Sequence, residues 1–138
     1  MRKFALLAIV GVVALAAFAS IASARIDHHF TVVTRNISGH QTSDGGFAFH
    51  QALFSTFNRS NQVGNDRVRC RPTAQRKLKC KGYIHLNGEV GGAGFLRING
   101  NFGHGDKRLN ITAGTGQFAG AAGKLVVHGH FLHISLVR

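Results

Sequence analysis

The chain has no tryptophan, a single proline, and only five acidic residues against seventeen lysines and arginines. Each shortage excludes something. The acids are Asp27, Asp44, Asp66, Glu89 and Asp106, and several lie in or beside turn-forming stretches, which argues against two facing carboxylates in one cleft. No G-x-S-x-G elbow occurs, so no nucleophile turn of the hydrolase kind is marked out. The lone proline, Pro72, leaves extended segments uninterrupted, and no long stretch of the later chain repeats its apolar residues every 3.6 positions. Without a recognition helix or an RNP-like aromatic pair, specific nucleic-acid binding is not expected.

What is present begins with a leader. Arg2 and Lys3 precede an almost wholly apolar run from Phe4 to Ala22, and Ala22-Ser23-Ala24 is a small-x-small cleavage site. This reads as a secretory signal peptide over residues 1–24, followed by one domain over residues 25–138, with export to the periplasm or the exterior. An uncleaved membrane anchor is the competing reading of the same apolar run.

Export bears on Cys70 and Cys80, because an even pair in an oxidising compartment more often forms a disulfide than a metal site or a nucleophile. A hairpin from Asp66 to Gly82 that turns near Gln75 places Cys70 opposite Cys80, Arg71 opposite Lys79, and Arg69 opposite Lys81. Side chains alternate along a strand, so Val68, Cys70, Leu78 and Cys80 share an apolar face. Arg67, Arg69, Arg71, Lys77, Lys79 and Lys81 share the other, a candidate contact for an anionic polysaccharide or lipid surface. Like charges facing each other across strands are unfavourable by about a few tenths of a kcal/mol per pair unless an anion lies between them.

The other segments also read as strands. They are Phe30 to Thr34, Phe47 to Phe54, Tyr83 to Leu86, Gly94 to Asn99, Lys107 to Thr112, Lys124 to His128 and Phe131 to Val137. Asn36 to Gly46 and Asn58 to Asn65 are expected to be loops, and Asn87-Gly88 and Asn99-Gly100 are turn dipeptides. About eight strands following at short intervals make an antiparallel, all-β protein, either a closed barrel or a two-sheet sandwich.

The run Thr112-Ala113-Gly114-Thr115-Gly116-Gln117-Phe118-Ala119-Gly120-Ala121-Ala122-Gly123 narrows that choice. Its spacing misses both the P-loop and the dinucleotide-binding patterns. Gly114, Gly116, Gly120 and Gly123 are expected to take positive φ in a compact loop, with Phe118 tucked against the core. The run resembles the T-G-G-T-G-x-F-x-G-A-x-G segment of allene oxide cyclases, dirigent proteins and their bacterial barrel-like relatives, with Ala113 in place of the first glycine. The resemblance extends over most of Gly45 to Arg138 and implies an eight-stranded antiparallel β-barrel of the allene oxide cyclase and dirigent-like type, with an apolar lumen.

By the same resemblance, the lumenal residues are Thr34, Asn36, Gln51 and Cys70. The cyclases carry an acid at the position of Thr34, which assists charge separation as the epoxide opens, and that acid is replaced here. No catalytic residue is therefore assigned. The expected function is non-catalytic binding of a small hydrophobic molecule in the lumen. The alternatives are a cyclase-like isomerase or dirigent-like enzyme, and a surface protein that uses the basic hairpin. No cofactor or metal is assigned: His128 and His130 form an H-x-H pair without an evident third ligand and read as outward strand residues. A homo-oligomer stays open, since trimers are common in the families that the chain resembles.

Overall fold

A computed structural model describes residues 29–137, apart from positions 104 and 106 and the side chains of Asn36 and Ile37. The expected signal peptide and its cleavage site lie outside the described residues. Eight strands follow in order: β1 (His29–Gln41), β2 (Phe47–Ser55), β3 (Gln62–Pro72), β4 (Leu78–Asn87), β5 (Ala93–Phe102), β6 (Arg108–Gly114), β7 (Ala122–His128) and β8 (Phe131–Val137). Each pairs antiparallel with the next, and β8 pairs with β1, so the sheet is a closed barrel. Closure leaves no strand edge unpaired. Among the described residues the helical content is a single 3-10 turn, Gly116–Phe118, between β6 and β7.

Alternation drives the closure. In β3, Val63, Asp66, Val68 and Cys70 are buried, whereas Arg67, Arg69 and Arg71 are exposed. In β8, Leu132, Ile134 and Leu136 point inward between exposed Phe131 and His133. A strand with one apolar and one polar face buries only the apolar one, and each large aliphatic side chain so buried contributes about 1.5 to 3 kcal/mol.

The expected hairpin register holds: Cys70 is opposite Cys80, Arg69 opposite Lys81 and Arg71 opposite Lys79. Cys70 and Cys80 form a disulfide. Lys77, expected on the cationic strand face, instead belongs to the turn, where its carbonyl accepts from the Thr73 N–H at 2.8 Å.

Two expected turns are largely strand, and Gln62 to Asn65 of the expected loop Asn58 to Asn65 belong to β3. Most of Asn36 to Gly46 extends β1, because Ser38 to Gln41 pair with His50 to Phe47 after a bulge between Asn36 and Ser38. Backbone pairing needs no apolar side chain, so a polar run can complete a hairpin arm; the turn proper is 42–46. Asn99 and Gly100 lie within β5, paired with Lys81 and Cys80. Gly100 is there because β6 passes close by: a Cβ on it would stand 3.2 Å from Leu109 Cδ2.

The connections β2–β3, β4–β5 and β6–β7 share one end of an up-and-down barrel, and that end is plugged by the glycine run. Phe118 is fully buried, stacked against Phe30 at 6.5 Å between ring centroids. Its ring lies against Gly92, where a Cβ would come within 3.1 Å of it. Gly116 and Gly120 take the expected positive φ, at 61° and 76°. Gly114 does not, and it is required for closeness instead: a Cβ there would fall 2.1 Å from the Phe118 carbonyl oxygen. Gly123 does take positive φ, at 159°, and a Cβ on it would also fall 2.0 Å from the Ser135 carbonyl oxygen.

Candidate functional site

With one end plugged by Phe118, the lumen opens at the other, where the hairpin turns β1–β2, β3–β4, β5–β6 and β7–β8 converge. A cavity of about 560 Å³ occupies this half. Its walls are apolar: Phe47 and Phe49 of β2, Val68 of β3, Ile98 and Phe102 of β5, and Leu109, Leu125 and Leu132 of the strands beyond. The Cys70–Cys80 disulfide forms part of the same wall. At the rim are Gly39, His40 and Gln41, carried there by the polar extension of β1. Leu53, Ile84, Leu86 and Leu96 are fully buried without facing the cavity. The barrel is therefore packed in one half and hollow in the other.

Inside the hollow half stand three polar side chains, Thr34, Gln51 and Asp66. Asn36, Gln51 and Asp66 occupy one transverse row of β1, β2 and β3, since Asn36 is paired with Gln51 and Gln51 with Asp66. The backbone register puts Asn36 in this row, and its side chain lies outside the described residues. Thr34 is one step deeper along β1, and its hydroxyl donates to the His130 carbonyl at 3.3 Å. Three of the four residues that the resemblance assigned to the lumen, Thr34, Gln51 and Cys70, thus line one cavity.

Asp66 is the residue that the sequence reading passed over. It is 2% exposed, and Oδ1 accepts a hydrogen bond from the Gln51 backbone N–H at 3.1 Å. Burial pushes its carboxyl from 3.8 up to about 7, outweighing the opposing effect of that hydrogen bond. Near neutrality the carboxyl can hold or release a proton, donate or accept a hydrogen bond, or face a cation. Parity was the available signal, because Asp66 is in step with Val68 and Cys70 on the inward face. Its place directly after the expected loop Asn58 to Asn65 draws attention away from that parity. Asp66 and His40 are the ionisable groups among the described residues lining the cavity.

A solved structure of pyocyanin demethylase superposes on the chain with a TM-score of 0.63, over 79% of this chain and 99% of that one, at 22% sequence identity. The two barrels share a fold. No family model and no curated protein sequence matches the chain.

The remaining expected sites are on the outer surface. Arg67, Arg69, Arg71, Lys79 and Lys81 are exposed on the outer wall. Asp44 sits beside this patch, 2.9 Å from Arg71 and 3.6 Å from Arg69. His128 and His130 are exposed, and His133 Nδ1 is 2.9 Å from the Thr31 hydroxyl. Among the described residues no three metal-ligating side chains come together.

Proposed function

We infer that the barrel is an exported receptor for a small, mostly apolar molecule carrying one polar group. The observation behind this reading is the open, apolar half-lumen with a single buried carboxyl, Asp66, set in its wall. Pockets that combine apolar walls with a few convergent polar groups bind ligands whose body is desolvated and whose orientation is set by one or two hydrogen bonds. Here Asp66, with Thr34 and Gln51 beside it, supplies the polar end, and Phe47, Phe49 and Phe102 supply the aromatic walls. Membership of the allene oxide cyclase and dirigent-like barrels is part of the same proposal. It rests on the glycine run and on the coincidence of Thr34, Gln51 and Cys70 in one cavity. The structural neighbour's name, which assigns it pyocyanin as substrate, supports a small molecule as the occupant of such a barrel.

Native mass spectrometry of the purified protein tests this reading. The expected result is a co-purifying lipid or phenolic, or one-to-one uptake of a neutral naphthylamine dye. Substituting Val127→Trp, which fills the cavity from β7, should abolish the uptake while the circular dichroism stays unchanged. Undiminished dye uptake by the filled variant would refute lumenal binding.

Asp66 also favours a second reading, that of an isomerase or dirigent-like enzyme, because a lumenal carboxyl that titrates near neutrality suits proton transfer. Turnover of an added epoxide or phenol that disappears in Asp66→Asn would select it over simple binding.

A further inference from the structure

The outer wall of the barrel has a concavity of its own. A groove of about 410 Å³ is lined by Arg67 and Arg69 of β3, Lys81 and Tyr83 of β4, and Arg97 and Asn99 of β5. Register sets their spacing. Arg67 pairs with Tyr83 and Tyr83 with Arg97; in the next outward row Arg69 pairs with Lys81 and Lys81 with Asn99. Neighbouring strands lie about 4.8 Å apart, so Arg67 and Arg97 flank Tyr83 across about 10 Å.

No acidic side chain lines this groove. Asp44 reaches only its end, where it engages Arg69 and Arg71, and among the described residues Arg67, Lys81 and Arg97 have no ion pair. Along one side runs an exposed aromatic strip: Tyr83 meets Phe95 edge to face at 5.7 Å, and Phe95 meets His85 at 4.6 Å. Cations facing one another across strands repel, and an anion placed between them removes the repulsion.

We propose that this groove binds an acidic polysaccharide, with the apolar face of a sugar ring on Tyr83 and the anionic groups held by Arg67, Lys81 and Arg97. The shape favours this occupant over two other polyanions. A membrane surface is flat and is entered by apolar side chains that project beyond the basic ones, whereas here the cations rim a depression. Single-stranded nucleic acid needs successive open ring faces for its bases, whereas Tyr83 and Phe95 are turned edge to face. The groove's charged side chains alternate along β3 and β4 with residues that face the lumen, so they stand on the outer side of the wall, whereas Ala48, Val68 and Ile98 line both the groove and the cavity.

The test compares two variants of equal net charge. One carries Arg67→Gln, Lys81→Gln and Arg97→Gln; the other carries Lys107→Gln, Arg108→Gln and Lys124→Gln, exposed positions on and beside β6 and β7. Binding to heparin and to polygalacturonate is measured over a salt series, with phosphatidylglycerol vesicles and a single-stranded oligonucleotide in parallel. The groove variant should lose about tenfold or more in affinity, and its slope of log K against log salt should fall by about 2 to 3, one per lost contact. The distal variant should lose about twofold at most, since none of its three residues lines the groove and exposed charges are screened by salt. Tyr83→Ala should weaken binding at an unchanged salt slope, and as a single exposed substitution it keeps the test open if the triple variant folds poorly. Equal losses in the two triple variants, or tighter binding to vesicles or oligonucleotide than to either polysaccharide, would overturn the proposal.

Discussion

Replacing Asp66 by Asn separates the energetics of the lumenal carboxyl from its geometry. Asn has nearly the same shape and its Oδ1 can still accept from the Gln51 N–H, but it cannot ionise. In the unfolded chain Asp66 loses its proton near 3.8; in the barrel it keeps it until about 7. Between those values the native state binds more protons than the unfolded state, so the carboxyl makes stability fall as pH rises from about 4 to 7 and leaves it level above that. At 1.36 kcal/mol per pH unit the loss is about 4 kcal/mol, or roughly 15 °C in Tm for a domain of this size. Asp44 works in the opposite direction and in another window. The hydrogen bond from the Thr42 hydroxyl, chiefly, holds it below 3.8, so its contribution is lost only at still lower pH. Urea denaturation of wild type and Asp66→Asn from pH 4.5 to pH 8 isolates the effect. The two curves should converge at low pH and separate steadily toward pH 7, with the variant the more stable. Parallel curves across this range would show that water in the cavity hydrates the carboxylate well enough to remove the penalty, and the reasoning would fail.

Other substitutions test the plug and the wall. Phe118→Ala empties the fully buried ring site at the closed end and should cost about 3 to 5 kcal/mol in a denaturation experiment. Gly114→Ala drives a methyl group into the Phe118 carbonyl and should cost about 3 kcal/mol, whereas Gly120→Ala, with open space around it, should lose only about 1 kcal/mol through its positive φ. Removing the disulfide with Cys70→Ala and Cys80→Ala releases a loop of sequence separation 10 and should lower stability by about 2 to 3 kcal/mol with the β-sheet circular dichroism retained.

Much of the architecture is legible in the sequence. Alternation in Arg67 to Cys80, together with turn residues near Gln75, sets one register, and that register carries the cysteine pair and the cationic face together. Local chemistry decides such features, because neighbours in a hairpin are close in sequence. The polar extension of β1 was hidden because its stability comes from backbone pairing with β2, and side-chain composition does not record that. Asn99-Gly100 misled in the same way: its glycine answers to the approach of β6 and forms no turn.

The sequence by itself determined an all-β chain, the Cys70–Cys80 pairing, and a glycine run able to hold Phe118 in a tight loop. Only the tertiary structure decided that this loop plugs one end of a closed barrel and leaves the other end hollow. The β2–β3 register sets Gln51 and Asp66 in one row and the β3–β4–β5 register gathers Arg67, Lys81 and Arg97 around Tyr83, while closure turns the first row into the wall of a lumen and the second into the outer surface. The physical reason is that burial arises from closing the sheet. A carboxyl beside a loop in the sequence becomes a lumenal group poised near neutrality only when eight strands surround it.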